Sequence, residues 1–505
     1  MKKLILLFIG VIAMPSLLAQ DITDAVRYSV DDIKGTARFR AMSGAFGALG
    51  GDMSAVGINP AGSAIFNRGH ASISLTNNYL ENTVGYFGNV NGSSESNLDL
   101  NQGGAAFVFN NMNSNSPWRK MVLGLAYEQM KNFDDDFVAS GTNTRSVDSY
   151  FLANAQGLRL DQISAFEGES YTDAYGDIGA TFGYQHQQAF LGFESYILEP
   201  ETFDDDNTVY MSNIAPGTFN QDYFYTSTGY NGKFTVNFAT QYEDNLYFGL
   251  NLNSHFLNYR RSTFLVEENM NPGSLVTEVG FENNIRTIGT GFSFQLGGIA
   301  KLSEIIRVGL TYDSPTWLTL SEESTQYLDT QRDESGSSVT TVINPQILNV
   351  FPDYKIQTPA KLTGSLALIL DKSGLISFDY SRKDYGNMKL KPETDSQFAA
   401  QNNLINSDLK VANTYRVGGE LRHKQFSFRA GYKMEDSPYK DENFYGDLTG
   451  YSLGIGYSFG NAKLDISYED SERTINHQLY NIGLTDAARV NGENSEVTLS
   501  LSFTL

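Results

Sequence analysis

The residues that could do chemistry fall into a few groups, and their spacing excludes most reactions. His70, His186, His255, His423 and His477 are scattered without ligand spacing, which offers neither a metal nor a haem site. Cysteine is absent, so disulfides, thiolate-bound zinc, thiol catalysis and a lipid-modified N-terminal Cys are excluded. The aspartate triplets 134–136 and 204–206 offer oxygen ligands of the kind calcium takes, but solvated loop tips are the simpler reading. No nucleophile–base pair stands out among the serines and aspartates. No catalytic residue, metal site or cofactor is expected. What remains is apolar contact. In the stretch 36–68, TARFRAMSGAFGALGGDMSAVGINPAGSAIFNR, Met42, Phe46, Met53, Ile58 and Phe66 stand among glycines and alanines. Met and aromatic side chains adapt to irregular apolar shapes. These five either line a ligand pocket or pack against whatever surrounds them.

The stretch is too glycine-dense for a helix and too short for a core of its own. Gly44, Gly47, Gly50 and Gly51 would let the backbone run close to a neighbour and take positive φ. Asn59 is biased to extended geometry by Pro60, which fixes the next bend. No Gly-Lys-Ser/Thr follows the glycines, so this is no phosphate loop. A small plug is the natural use for such a segment, and the rest of the chain must enclose it.

Residues 1–19, MKKLILLFIGVIAMPSLLA, read as a secretory signal. Lys2 and Lys3 supply the positive start, 4–14 the apolar run, and Ala19–Gln20 the cleavage point, although Leu17 is large for its position. No later run approaches the ~18 apolar residues of a membrane helix. The 505 residues carry a net charge of −22 and a pI of about 4.6, which argues against nucleic acid as a partner. A hydrophobic fraction of 41% and a mean hydropathy of −0.30 look soluble in a sliding window. A transmembrane barrel would look the same, because only alternate residues meet lipid.

From residue 70 the chain alternates with period two over long runs. Leu246, Phe248, Leu250, Leu252 and Phe256 oppose Tyr247, Gly249, Asn251, Asn253 and His255. Val497, Leu499, Leu501 and Phe503 oppose Glu496, Thr498, Ser500 and Ser502. Each run therefore has one apolar and one polar face. This periodicity predicts about fourteen strands, near 70–90, 101–113, 117–132, 222–242, 245–266, 279–298, 301–315, 352–371, 373–386, 411–424, 425–437, 449–460, 462–475 and 494–504. Short turns (113–117, 243–244, 298–300, 371–372, 422–424, 460–461) alternate with long loops (91–100, 133–221, 267–278, 316–351, 387–410, 438–448, 476–493). Tight turns at one end and large loops at the other are the plan of an outer-membrane barrel. A secreted β-sandwich or propeller is the competing fold. Its strands average about five or six residues, whereas a bilayer needs roughly 9–11, as here. Tyr312, Trp317, Phe351, Tyr354 and Tyr385 would form an interfacial girdle. The 133–221 loop is too long to be structureless, so helices are expected within 151–166 and 183–198, folded over the outer mouth. The fold class is all-β: an antiparallel transmembrane barrel of about 14 strands over 70–505, with the plug, 20–69, in its lumen.

The plug segment resembles the hatch of FadL-type outer-membrane transporters of hydrophobic compounds. The matching residues are Arg40-Ala-Met-Ser-Gly-Ala-Phe, Gly51-Asp-Met-Ser-Ala-Val and Asn59-Pro-Ala-Gly-Ser-Ala, with the Asn59–Pro60–Ala61 triplet the most recognisable piece. Gly309-Leu-Thr-Tyr-Asp-Ser-Pro-Thr and Thr358-Pro-Ala-Lys-Leu-Thr-Gly-Ser-Leu-Ala-Leu extend the resemblance over the mature chain, while the outer loops and the terminal Leu505 depart from it. The Gly47-Ala-Leu-Gly-Gly-Asp wording is most similar to Bacteroidetes members. The resemblance implies passive entry of an apolar molecule of the fatty-acid or aromatic class through a monomer in outer-membrane lipid. Capture would occur under the loops, the hatch would block straight passage, and a rearrangement or a sideways gap would release the ligand. Two other roles fit parts of the pattern: a subunit or shuttle of a type IX-like secretion apparatus, and a general porin, which a plug argues against.

Overall fold

The computed structural model describes residues 22–30, 32–113, 115–334, 336–371 and 373–505; the expected signal segment, 1–19, lies outside them. Fourteen antiparallel strands form the wall. They are β1 (His70–Tyr86), β2 (Asn89–Asn110), β3 (Trp118–Asn132), β4 (Phe219–Tyr242), β5 (Leu246–Glu268) and β6 (Val276–Lys301). Next come β7 in two pieces (Ile306–Asp313 and Trp317–Glu334) and β8 in two pieces (Tyr354–Gln357 and Lys361–Leu370). The series ends with β9 (Gly374–Asp384), β10 (Val411–His423), β11 (Phe426–Glu435), β12 (Leu448–Ser458), β13 (Ala462–Gln478) and β14 (Ala487–Thr504). Each strand pairs with the next, and β1 pairs with β14 from His70↔Thr504 to Gly85↔Arg489, which closes the ring. Both pieces of β7 pair with β6, so Pro315, which has no amide hydrogen to donate, marks a bend within one strand.

The alternation resolves as expected for a barrel in lipid. Phe238, Phe248, Leu453 and Leu499 are exposed on the outside, while Asn237, Asn251, Ser452 and Thr498 are buried inside. A soluble protein does the reverse, so the outer apolar belt calls for hydrocarbon around it. No helix among the described residues is long and apolar enough to cross a membrane; the crossing falls to the strands.

Several boundaries differ from those the periodicity predicts. Segments 91–100 and 317–334 are strand rather than loop, because β2 and β7 rise far above the belt. On β7 the inward face mixes Leu318 and Leu320 with Glu322, Gln326 and Arg332, and the outward face turns polar at Ser321 and Glu323. Without lipid outside, the contrast between faces disappears. The turn expected at 298–300 lies at 302–305, and Gly297 and Gly298 have another use described below. Of the expected girdle, Tyr312 and Trp317 are on the outer surface, but Phe351, Tyr354 and Tyr385 are buried inside.

The 133–221 loop folds as expected over the mouth. It holds a strand, Asp135–Asn143, that extends the wall on β4, and helices α2 (Asp148–Ala155), α3 (Tyr171–Phe182) and α4 (Tyr184–Glu194). Helices were expected within 151–166 and 183–198; α3 was not. Its N-terminus is capped by Ser170, whose hydroxyl accepts from the Asp173 amide at 3.1 Å. Gly183, at φ +92°, separates α3 from α4. A further helix, α5 (Ser396–Asp408), fills the 387–410 loop, α1 being the plug helix Ile22–Arg27. The cap buries Phe151, Phe190 and Leu191 against Tyr223, Phe281 and Leu328 of the strand tops.

The belt yields a direct prediction. Leu499→Arg, on the lipid face of β14, should destabilise the folded barrel by about 2–4 kcal/mol, the cost of a cation near the bilayer midplane. Reversible urea unfolding in lipid vesicles measures this, with Ser495→Arg above the belt as the mild comparison.

Candidate functional site

The segment 22–65 lies inside the barrel. It has one short helix at its start (Ile22–Arg27), single turns at Ala37–Arg40 and Ala55–Ile58, and a 3₁₀ turn at Pro60–Ile65. So little regular structure leaves its backbone dependent on others for hydrogen bonds. The wall supplies them. Asn101 donates to the Gly35 carbonyl at 3.0 Å, Asn251 to Val56 at 2.8 Å, Gln295 to Gly57 at 2.9 Å and Asn237 to Pro60 at 2.9 Å. The Ser500 hydroxyl accepts from the Ala37 amide at 2.6 Å. One carboxylate oxygen of Asp379 accepts from the amides of Phe46 and Gly47, at 3.0 and 2.9 Å.

Asn59 joins the plug to the wall. Its carboxamide donates to the carbonyls of Gly47 (2.7 Å) and Gly298 on β6 (3.1 Å), while its oxygen caps the following turn through the Ala61 amide at 3.1 Å. The wall makes room with glycine. Gly249 and Gly297 face each other across β5 and β6. A Cβ at Gly297 would stand 2.1 Å from the Asn59 oxygen, and one at Gly249 would stand 2.2 Å from the Pro60 carbonyl carbon. A second cross-strand pair, Gly418 and Gly431 on β10 and β11, admits Met42 and Ser43 in the same way. Within the plug, Gly50 needs both its freedoms. It has φ +61°, and a Cβ there would lie 2.7 Å from the Gly62 carbonyl oxygen. Gly44 and Gly51 also take positive φ, whereas Gly47 is needed for its approach to Ser365.

A third attachment is ionic. The inner faces of β10, β13 and β14 carry Glu420, Asp465, Glu469 and Glu496, all buried. Plug residue Arg38 meets Glu420 at 2.9 Å, Lys34 meets Glu496 at 2.8 Å, and Arg40 pairs with Glu469 at 3.2 Å and also with Glu496. Arg429 and Lys433 of the wall complete the network on Asp465, Glu420 and Glu469. Each buried charge has an opposite partner, which is the condition for tolerating it at all.

Above the plug and beneath the cap lies a cavity of about 490 Å³. Its floor is the start of the plug, including Val26, Arg27 and Ile33, and its walls include Tyr223, Tyr225, Tyr259 and Tyr480. A smaller cavity of about 110 Å³ lies deeper, beside the plug, and is polar, with Glu128, Lys233, Asn253 and Gln295 among its residues. Asp32, Ile33 and Lys34 border both. The wall of the larger cavity also carries a seam. β2 pairs with β3 only from Gln102↔Glu128 down to Asn110↔Lys120. Above that β2 stays on β1 and β3 stays on β4, with a register shift between Gln129 and Lys131. Only side chains cross the parting: Asn132 donates to Asp99 at 2.7 Å and Asn97 to Asp134 at 2.7 Å. In the cap, burial lowers the His186 imidazole below its ordinary value.

The five apolar plug residues singled out in the sequence do not border the larger cavity. Met42 and Phe46 pack with Ile33, Phe39 and Leu375. Met53 and Phe66 pack with Ala106 and Val122. Ile58 borders the smaller cavity. The tyrosines that line the larger one went unnoticed because Tyr223, Tyr225 and Tyr259 sit on inward strand faces that also carry polar residues, Tyr480 lies in the loop after β13, and their clustering is three-dimensional.

A closed fourteen-stranded barrel with an N-terminal segment packed in its lumen is an outer-membrane fold, that of the FadL-like channels. It matches the crystal structure of a Pseudomonas aeruginosa FadL homologue with a TM-score of 0.52 at 12% identity, over 94% of this chain and 99% of that one. It matches the P. putida toluene transporter TodX with a TM-score of 0.50 at 13% identity, over 94% and 99%. No family model matches the chain, and no curated protein matches it in sequence. At these identities the likeness is one of fold, and it lends nothing to the Bacteroidetes wording of the plug.

The glycine pairs carry a test. Gly297→Val should still give a heat-modifiable barrel but dislodge Asn59, which raises sensitivity to a large polar antibiotic. Gly364→Val, with no atom within 4 Å of its new Cβ, should match wild type in both measurements.

Proposed function

We propose that the protein is a passive outer-membrane channel for a small hydrophobic or amphipathic molecule, with residues 20–69 as its hatch and 70–505 as its barrel. The observation that carries this reading is the cavity of about 490 Å³, under the cap and floored by the plug, in the size range of small-molecule sites. The two matched structures are a FadL homologue and a toluene transporter, and uptake of such compounds is the function proposed here for the same architecture. Met42, Phe46, Met53 and Phe66 serve to seat the hatch, and the ligand meets the tyrosines above it. Asn59, Pro60 and Ala61 hold the hatch on β5 and β6.

The polar lower cavity is a poor path for an apolar molecule, because desolvating its charged and amide groups is costly. Release therefore runs through the seam between β2 and β3, where no backbone hydrogen bonds have to break. Removing residues 20–68 should convert a near-silent channel into one of large conductance in planar bilayers; unchanged conductance would refute the hatch. The seam is tested with Asn97→Cys combined with Asn132→Cys in this cysteine-free chain. Oxidation should stop uptake of a neutral aromatic such as toluene, and reduction should restore it. Full uptake in the oxidised state would direct release past the plug instead.

A further inference from the structure

The larger cavity holds a cation with no hydrogen-bond or ion-pair partner among the described residues. Arg261, on the inner face of β5, borders the cavity and makes no hydrogen bond or ion pair with another described residue. Its neighbours in electrostatic reach are Asp24, Arg27, Tyr184, Tyr223, Tyr225, Tyr259 and His477. Asp24 is already committed to Arg27, and Arg27 also lies 4.8 Å from the centre of the Tyr259 ring. Those two charges offset each other, and Arg261 is left without an ion pair of its own among the described residues. The carboxylates at the seam bond to other groups: Asp134 accepts from Gly229 and Asn97, and Asp135 accepts from Asn82. By contrast, the plug cations Lys34, Arg38 and Arg40 each meet an acid of the wall. A guanidinium that lines a cavity under the cap and has no ion pair offers a place for an anion, and its planar fork suits a carboxylate.

The surroundings specify the rest of the ligand. Rings run round this part of the cavity in continuous contact. Phe133 meets Tyr259 with centroids 5.2 Å apart, Tyr225 meets His477 at 5.0 Å, Tyr223 meets His477 at 5.8 Å and Tyr480 at 6.4 Å, and Tyr480 meets Tyr150 at 4.8 Å. The Tyr225 and Tyr259 hydroxyls, 3.2 Å apart, link the first two pairs. Several of these contacts are edge-to-face, the arrangement that a further ring would continue. The Tyr480 hydroxyl is buried without a hydrogen-bond partner, a donor kept out of water with nothing to bond.

We propose that this cavity binds an aromatic carboxylate, with the carboxylate on Arg261 and the Tyr480 hydroxyl and the ring among the tyrosines. The inference rests on the channel reading above and narrows it to a substrate class. Full-length protein in lipid nanodiscs is titrated calorimetrically with three probes: cinnamate, cinnamyl alcohol (the same ring without the charge) and laurate (the charge without a ring). Cinnamate should bind most tightly. Arg261→Gln should weaken cinnamate on the order of tenfold or more, the usual worth of a charge-assisted bond, and leave cinnamyl alcohol unchanged. Arg261→Lys should recover part of the loss, and Tyr480→Phe should weaken cinnamate by a smaller factor. Wild-type protein that binds the alcohol as tightly as cinnamate would overturn the anion, and laurate binding tighter than cinnamate would overturn the ring. Either result leaves the channel standing. If no probe binds and toluene does not cross in vesicle uptake, the channel reading falls with it.

Discussion

A segment with almost no helix or strand lies in the middle of this barrel, and its backbone must find hydrogen bonds there. That requirement explains the inner wall. Asn101, Asn237, Asn251, Gln295 and Ser500 would be expensive to bury if they faced one another idly, and the plug amides and carbonyls would be as expensive without them. Each set satisfies the other. The lumen is therefore neither a water-filled pore nor an apolar core, but a polar interior packed to the point where backbone touches backbone. Glycine makes the last contact possible, at Gly249 with Gly297 and at Gly418 with Gly431.

Much of this was legible in the sequence, for identifiable reasons. Where lipid lies outside and polar lumen inside, alternate residues differ sharply, and strands such as β5 and β12 were placed within two residues. Where a strand climbs out of the membrane, as β7 does at Ser321 and Glu323, both faces become mixed and the segment passes for a loop. Gly298 reads as the start of a turn that lies instead at 302–305, and Gly297 as the end of the strand before it. Their purpose, to admit Asn59, belongs to a residue more than two hundred positions earlier. The hatch triplet and its glycines were visible as an unusual segment. The cavity was not, because its tyrosines come from the cap, two wall strands and the outer loops, and no local pattern joins them.

The lumen is divided by chemistry as well as by space. The acids of β10, β13 and β14 gather the plug cations on one side, amide side chains of β4 to β6 hold its neutral backbone on the other, and the tyrosines stand above both. A molecule arriving from outside meets the tyrosines of the larger cavity before the amide and charged groups of the smaller one beside the plug. The parting between β2 and β3 opens at the aromatic level, so the gradient of polarity and the break in hydrogen bonding point to the same height in the wall.

The plug is joined directly to β1, and β1 is the strand that closes against β14. The first strand thus holds the plug at one end and waits for the last strand along its whole length. Once β14 has zipped onto it, the ring offers no opening wide enough to admit some forty residues of chain. Assembly in the outer membrane therefore has a required sequence of events: the plug must already be gathered in the curving sheet when the final pairing forms. A barrel that closes too early would be well made, well inserted, and permanently open.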